Sequence, residues 1–205
     1  MPLLKEMAVR VKIMTCNPDK YCRHSIRLKA YDYSQAGAYF VTICAHNREC
    51  VFGNVVKGEM RLNKYGRVVE AEWIKTANIR NNVELDVFVV MPNHLHGVLV
   101  IVGGVGDMAG RSTARRAPTG MNERFGKPTS GSLPTIVRSF KSAVTKRINE
   151  LRCTPETHVW QRNYYEHVIR DEWDLNEIRE YIMSNPLKWE MDRENPENLR
   201  QLSTI

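Results

Sequence analysis

Val87-Phe-Val-Val-Met-Pro-Asn-His-Leu-His-Gly-Val-Leu-Val-Ile-Val102 is the stretch on which the reading of the chain turns. Its two apolar runs, Val87 to Val90 and Val98 to Val102, have the composition of buried strands. His94-Leu95-His96 lies between them. Side chains alternate faces along a strand, so His94 and His96 point one way and Leu95 the other. Two imidazoles side by side on a rigid strand make half of a metal site. They could equally sit on a sheet face with no ion, and the residues alone leave both readings open. Gly97 offers room for another backbone or a substrate to come close.

Outward from this stretch, composition narrows the classes. A chain of 205 residues can bury one sizeable core. No apolar run approaches the roughly 18 residues of a membrane span, so no membrane role is expected. The N-terminus has an early acidic residue and no long apolar segment, which does not read as a signal peptide. The five cysteines form no CxxC pair. That suits a reducing cytoplasm and argues against a disulfide framework or a Cys-rich zinc finger. The net charge of +7 points to a polyanionic partner, of which nucleic acid is the commonest.

Residues 1 to 35 read as a basic N-terminal arm. Arg23, Arg27 and Lys29 are its candidate phosphate contacts. Residues 36 to 190 read as one domain. Tyr39 to Cys44 is dense in β-branched and aromatic residues and predicts the first strand. Lys57-Gly58 predicts a tight hairpin turn before Leu62. Asn63 reads as the N-cap of a helix running to about Asn78, with Val68, Val69, Trp73 and Ala77 on one side. Residues 103 to 131, rich in Gly, Ser and Arg, read as a long flexible loop. Ser132 then caps a helix whose stripe is Leu133, Ile136, Val137, Phe140, Val144, Ile148 and Leu151. Arg138, Lys141 and Lys146 lie off that stripe, either as a solvated face or as phosphate contacts. A strand is expected within 159 to 169, and Arg162 beside it is a further DNA-contact candidate.

Asp174 to Glu177 reads as a capping-box variant opening the last helix, with Leu175, Ile178 and Ile182 as its core stripe. Tyr181 and Asn185, four apart, are neighbours on one flank of that stripe. Pro186 ends or kinks the helix. Residues 191 to 205 read as a C-terminal polar tail. The order of elements predicts an α+β, ferredoxin-like (RRM-like) antiparallel sheet with helices on one face. The last helix then lies near the strand bearing the two histidines.

Met91-Pro-Asn-His-Leu-His-Gly-Val98, Trp160-Gln-Arg-Asn-Tyr-Tyr-Glu-His-Val-Ile-Arg170 and Arg179-Glu-Tyr-Ile-Met-Ser-Asn-Pro-Leu-Lys-Trp189 together resemble the REP-associated tyrosine transposases. These are relatives of the single-tyrosine HUH transposases. The three motifs keep the family's order and spacing, over about residues 20 to 190. The resemblance implies a metal-dependent endonuclease and strand transferase acting on single-stranded or hairpin DNA of the REP-like palindromic kind. It places His94 and His96 on the HUH motif, Tyr181 on the nucleophile and Asn185 on a third metal ligand. It implies Mg²⁺ or Mn²⁺ as cofactor and a 5′-phosphotyrosine intermediate. A monomer or homodimer in the cytoplasm is expected. Tyr164 and Tyr165 are competing nucleophiles on chemistry alone, and rank below Tyr181 as core or base-stacking residues. His167 reads as structural or DNA-facing.

Two other functions fit the same sheet class. A non-catalytic RRM-like nucleic-acid-binding module would stack bases on strand aromatics, but would not need His94, His96, Tyr181 and Asn185 together. A phosphodiesterase using water would make Tyr181 dispensable.

Overall fold

The structure, a computed structural model, describes Leu28, residues 31–103 and residues 129–198. Arg23, Arg27, Lys29, most of the 103–131 segment and the end of the chain lie outside the described residues.

A four-stranded antiparallel sheet carries the fold. Its strands are β1 (Gly37–Cys44), β4 (Val83–Val90), β5 (His94–Ile101) and β6 (Tyr165–Ile169), in the spatial order β4-β5-β1-β6. A separate hairpin of β2 (Gly53–Val56) and β3 (Glu59–Leu62) leaves β1 before the first helix. Lys57 and Gly58 at its turn both have positive φ, 53° and 76°, as a two-residue hairpin loop requires. The helices are α1 (Lys64–Asn78), α2 (Leu133–Arg152) and α3 (Glu172–Ser184). Without the hairpin and α3, this is the βαββαβ order of a ferredoxin-like domain, the class the sequence predicts.

Alternation sorts each strand's side chains between two cores. Tyr39, Val41 and Ile43 of β1 and Leu95, Leu99 and Ile101 of β5 face α1 and α2. Trp73 of α1 is fully buried and meets Phe140 of α2 edge-on, ring centroids 5.1 Å apart. The buried Glu72 of α1 pairs with Arg147 of α2 at 2.6 Å. The opposite face, with Phe40, Val98, Val87 and Val89, packs on Leu175, Ile178 and Ile182 of α3. The expectation of helices on one face therefore holds for α1 and α2. The third helix covers the other face, because its stripe meets the second set of alternating apolar residues.

The strand β4 changes phase midway. Val83 and Leu85 join the α1–α2 core, and so do Phe88 and Val90, which only a register shift between Leu85 and Phe88 allows. At that bulge Asp86 accepts hydrogen bonds from Arg179 of α3, which ties the helix to the sheet edge.

Several local signals fall where the sequence sets them. Asn63 accepts from the N–H groups of Tyr65 and Gly66 and opens α1. The α2 stripe is buried from Leu133 to Ile148, while Leu151 is half exposed at the helix end. The start of α3 differs from the expected capping box. Asp171 is the cap, accepting from the Asp174 N–H, and the helix begins at Glu172. Gly97 also differs. It faces neither substrate nor another backbone but the Trp73 indole, which a Cβ there would meet at 2.7 Å. The reading of residues after 190 as a polar tail fails for its described part. After α3 a 3₁₀ turn, Pro186–Met191, leads into a segment with Asp192 and Asn195 buried. Its carbonyls are taken up by side-chain amides, with Asn195 donating to Trp189 and Asn198 to Glu190 and Asp192. No helix among the described residues is long and apolar enough to cross a membrane.

Candidate metal and nucleophile site

His94 and His96 lie at the start of β5, both buried, with ring centroids 4.4 Å apart on the α3 side of the sheet. Each ring is oriented by its Nδ1. His94 Nδ1 is 2.8 Å from Asn93 Oδ1. The Asn93 amide cannot turn over, because its Nδ2 donates to the backbone carbonyls of Arg48 and Glu194. Its oxygen must therefore accept, so His94 carries its proton on Nδ1 and keeps the Nε2 lone pair free. That Nε2 is buried without a hydrogen-bond partner. His96 Nδ1 lies 2.8 Å from Thr42 Oγ1 of the adjacent strand β1, and Nε2 lies 3.2 Å from the Tyr181 hydroxyl.

Burial keeps both rings neutral. Desolvation, with the Arg48 charge adding to it, pushes the His94 pKa down to about 3. Burial and the neighbouring His94 hold His96 well below its ordinary value, against a smaller upward pull from Asp192. Neutral imidazole is the form that binds metal.

A third donor comes from the segment after α3. A ring nitrogen of each histidine and a carboxylate oxygen of Asp192 lie within 4.8 Å of one another, the only such group among the described residues. Sequence reasoning passes over Asp192 because polarity alone marks residues after 190 as surface. The available signal is turn chemistry, Asp192 with Asn195-Pro196 three residues on. Asn185, the expected third ligand, is buried directly after α3, and its Oδ1 has no hydrogen-bond partner. Two unpaired buried acceptors, His94 Nε2 and Asn185 Oδ1, with a carboxylate nearby, are what a divalent cation would satisfy. The mixed imidazole, amide and carboxylate set suits Mg²⁺ or Mn²⁺, with imidazole favouring the latter.

The side chain of Tyr181 stands on the same flank of α3 as Asn185. Its ring meets His96 and Phe40 edge-on at 5.1 and 6.1 Å. Burial and the carboxylates of Asp192 and Glu194 push its pKa up to about 12, and a hydrogen bond with the Asn185 amide pulls the other way. The hydroxyl is therefore a protonated phenol in the metal-free site.

Other sequence candidates sit elsewhere. Tyr164 packs against the α1–α2 core. His167 of β6 bonds Asp174 of α3 at 2.9 Å. Arg138 and Arg162 are exposed on the α2 side. Lys141 does not project freely outward as expected. Its ammonium donates to the carbonyls of Gln161, Arg162 and Asn163, and burial lowers its pKa to about 8. An open groove of about 740 Å³ runs there, lined among others by Lys141, Lys146, Trp160 and Arg162. It shares no lining residue with the histidine cluster.

No family model matches the chain. An uncharacterized protein of Haemophilus influenzae is 42% identical over 174 residues, covering 83% of this chain and 92% of that protein. A second Haemophilus influenzae protein, provisionally named a REP-associated tyrosine transposase, is 26% identical over 157 residues, 77% of this chain and 74% of its own length. Among solved structures, a REP-associated tyrosine transposase bound to a REP hairpin shares the fold with a TM-score of 0.50 at 19% identity, over 81% of this chain and 74% of that one. The chain thus belongs to one family with the 42%-identical Haemophilus protein and is a relative of the REP-associated tyrosine transposases.

Proposed function

We propose that this protein is a metal-dependent endonuclease and strand transferase for single-stranded, hairpin-forming DNA, with Tyr181 as its nucleophile. The observation that carries the reading is the Tyr181 hydroxyl 3.2 Å from His96 Nε2, beside the buried, unpaired Nε2 of His94. A structural tyrosine needs no such neighbours. The relative solved with a REP hairpin supports hairpin DNA as the substrate class.

His94, His96 and Asp192, with Asn185, would hold Mg²⁺ or Mn²⁺. A bound cation supplies positive charge that polarises the scissile phosphate and favours the phenolate. Tyr181 Oη attacks phosphorus, an O–P bond to tyrosine forms, and the P–O3′ bond breaks. The departing oxygen leaves as a 3′-OH, carrying a proton equivalent to the one the phenol loses. The phosphodiester energy is kept in the 5′-phosphotyrosine, so another 3′-OH can reverse the step. Asn93 and Thr42 fix the two imidazoles, and Phe40 supports the phenol ring. On the α2 side, Arg138 and Arg162 offer phosphate contacts, as do Arg23, Arg27 and Lys29 of the arm, whereas the Lys141 ammonium is taken up by the carbonyls of Gln161, Arg162 and Asn163.

The test is incubation of labelled hairpin oligonucleotides with protein and Mn²⁺, followed by a denaturing gel. A covalent protein–DNA band is expected from wild type and none from Tyr181→Phe, whereas Tyr164→Phe and Tyr165→Phe keep it. Cleavage without any adduct in either wild type or Tyr181→Phe would instead establish a water-using phosphodiesterase.

A further inference from the structure

The face that carries the histidines has a second half-exposed tyrosine, Tyr165. Tyr165 opens β6 and pairs across the ladder with Thr42, so both side chains stand on the same face of the sheet. Thr42 is the residue that orients His96. Phe40, two residues back on β1, contacts Tyr165 at 6.3 Å (68°), Tyr181 at 6.1 Å (88°) and His96 at 5.5 Å, nearly stacked. Phe40 is buried beneath them, while Tyr165 is 45% exposed and Tyr181 42% exposed. The two phenols thus rise on either side of one buried ring, and only Tyr181 touches the imidazoles.

We propose that Tyr165 is a positioning residue that stacks an unpaired nucleobase adjoining the scissile phosphate. The inference rests on the single-stranded DNA reading of this site. The physical reason is that an exposed ring on an edge strand presents its π surface without rearrangement, and every base can stack on it. Tyr165 and Tyr181 flank the same Phe40 ring, at 6.3 and 6.1 Å, so a strand whose phosphate lies at Tyr181 Oη and which continues toward β6 brings a neighbouring base over the Tyr165 ring. Stacking there fixes the strand so that phosphorus faces the nucleophile. The attachment is sequence-tolerant, since a ring face reads no hydrogen-bonding edge.

The experiment compares a dT12 oligonucleotide with a 12-residue abasic strand of the same charge, binding the full chain at fixed salt. Wild type is expected to bind dT12 at least tenfold more tightly than the abasic strand. Tyr165→Ala should lose most of that preference while binding the abasic strand as wild type does. Tyr165→Phe should restore it and Tyr165→Leu should not. A Tyr165→Ala protein that keeps the full preference overturns the proposal, and so does equal weakening for both strands. Covalent-adduct formation is scored separately on hairpin DNA. If wild type forms no adduct but the base preference still depends on Tyr165, the nucleophile assignment fails and the stacking assignment stands.

Discussion

His94 shows how a single side chain acquires its chemistry from its partners. The sequence places it beside His96, but the proton position follows from an Asn93 amide locked by two carbonyls that are far away along the chain. Asn93→Ala should leave the sheet intact and weaken Mn²⁺ binding about 10- to 100-fold in calorimetric titration, because the ring loses its orientation. Unchanged affinity would remove Asn93 from the site. The depressed pKa of His94 also has a thermodynamic sign. The folded state refuses a proton that the unfolded chain accepts below about pH 6.5, so stability is lost as pH falls from there toward about 3. The slope is about 1.4 kcal/mol per pH unit for each such group. In denaturant titrations of the metal-free protein, His94→Gln should therefore lose about 2 kcal/mol less than wild type between pH 7 and 5. Equal losses would mean that His94 takes up its proton while folded. Tyr181→Phe deletes the hydroxyl's hydrogen bonds to His96 and the Asn185 amide and should change stability by about 1–2 kcal/mol, too little to unfold the domain, so its loss of adduct cannot be ascribed to unfolding.

Among the elements, what was legible from sequence depended on whether the signal was local. The Asn63 cap, the Lys57-Gly58 turn and the α2 stripe as far as Ile148 each rest on residues within a turn or two of one another, and they form as read. The Tyr181–Asn185 flank of α3 was legible for the same reason. The β4 bulge was not, because an extra residue is visible only against its partner strand β5. Nor was the side of the sheet that α3 takes, since a helix stripe specifies an apolar partner without naming which face supplies it. Gly97 was misread because its need for space comes from Trp73 on α1 rather than from a ligand. Gly97→Ala should force that buried indole aside and destabilise the domain by about 1–3 kcal/mol in urea titrations, while Mn²⁺ binding by the remaining folded protein is retained. A neutral effect on stability would show that the indole has room to move.

For the molecule as a whole, the charged and titratable groups sort onto two faces of the fold. The α3 face holds the cluster of His94, His96, Asp192 and Tyr181, and the α2 face carries the exposed Arg138 and, in the groove wall, Arg162. If both arginines neutralise phosphates, hairpin affinity should fall linearly in log salt, and Arg138→Ala plus Arg162→Ala should lower the slope by about 2. A salt slope identical in wild type and double variant would leave the α2 face out of the DNA path. The overall class was legible because the order of strands and helices sets a ferredoxin-like sheet. The full donor set was not, because Asp192 reaches the histidines only through the chain reversal after α3. That reversal has a consequence during synthesis. A ribosome delivers His94 and His96 midway through the chain and Asp192 about a hundred residues later. At ordinary elongation rates the nascent protein therefore spends roughly 5–20 s with its imidazoles made but its phenol and carboxylate still untranslated. A nascent polypeptide that has not reached Tyr181 and Asp192 therefore lacks both the proposed nucleophile and the carboxylate that completes the cluster.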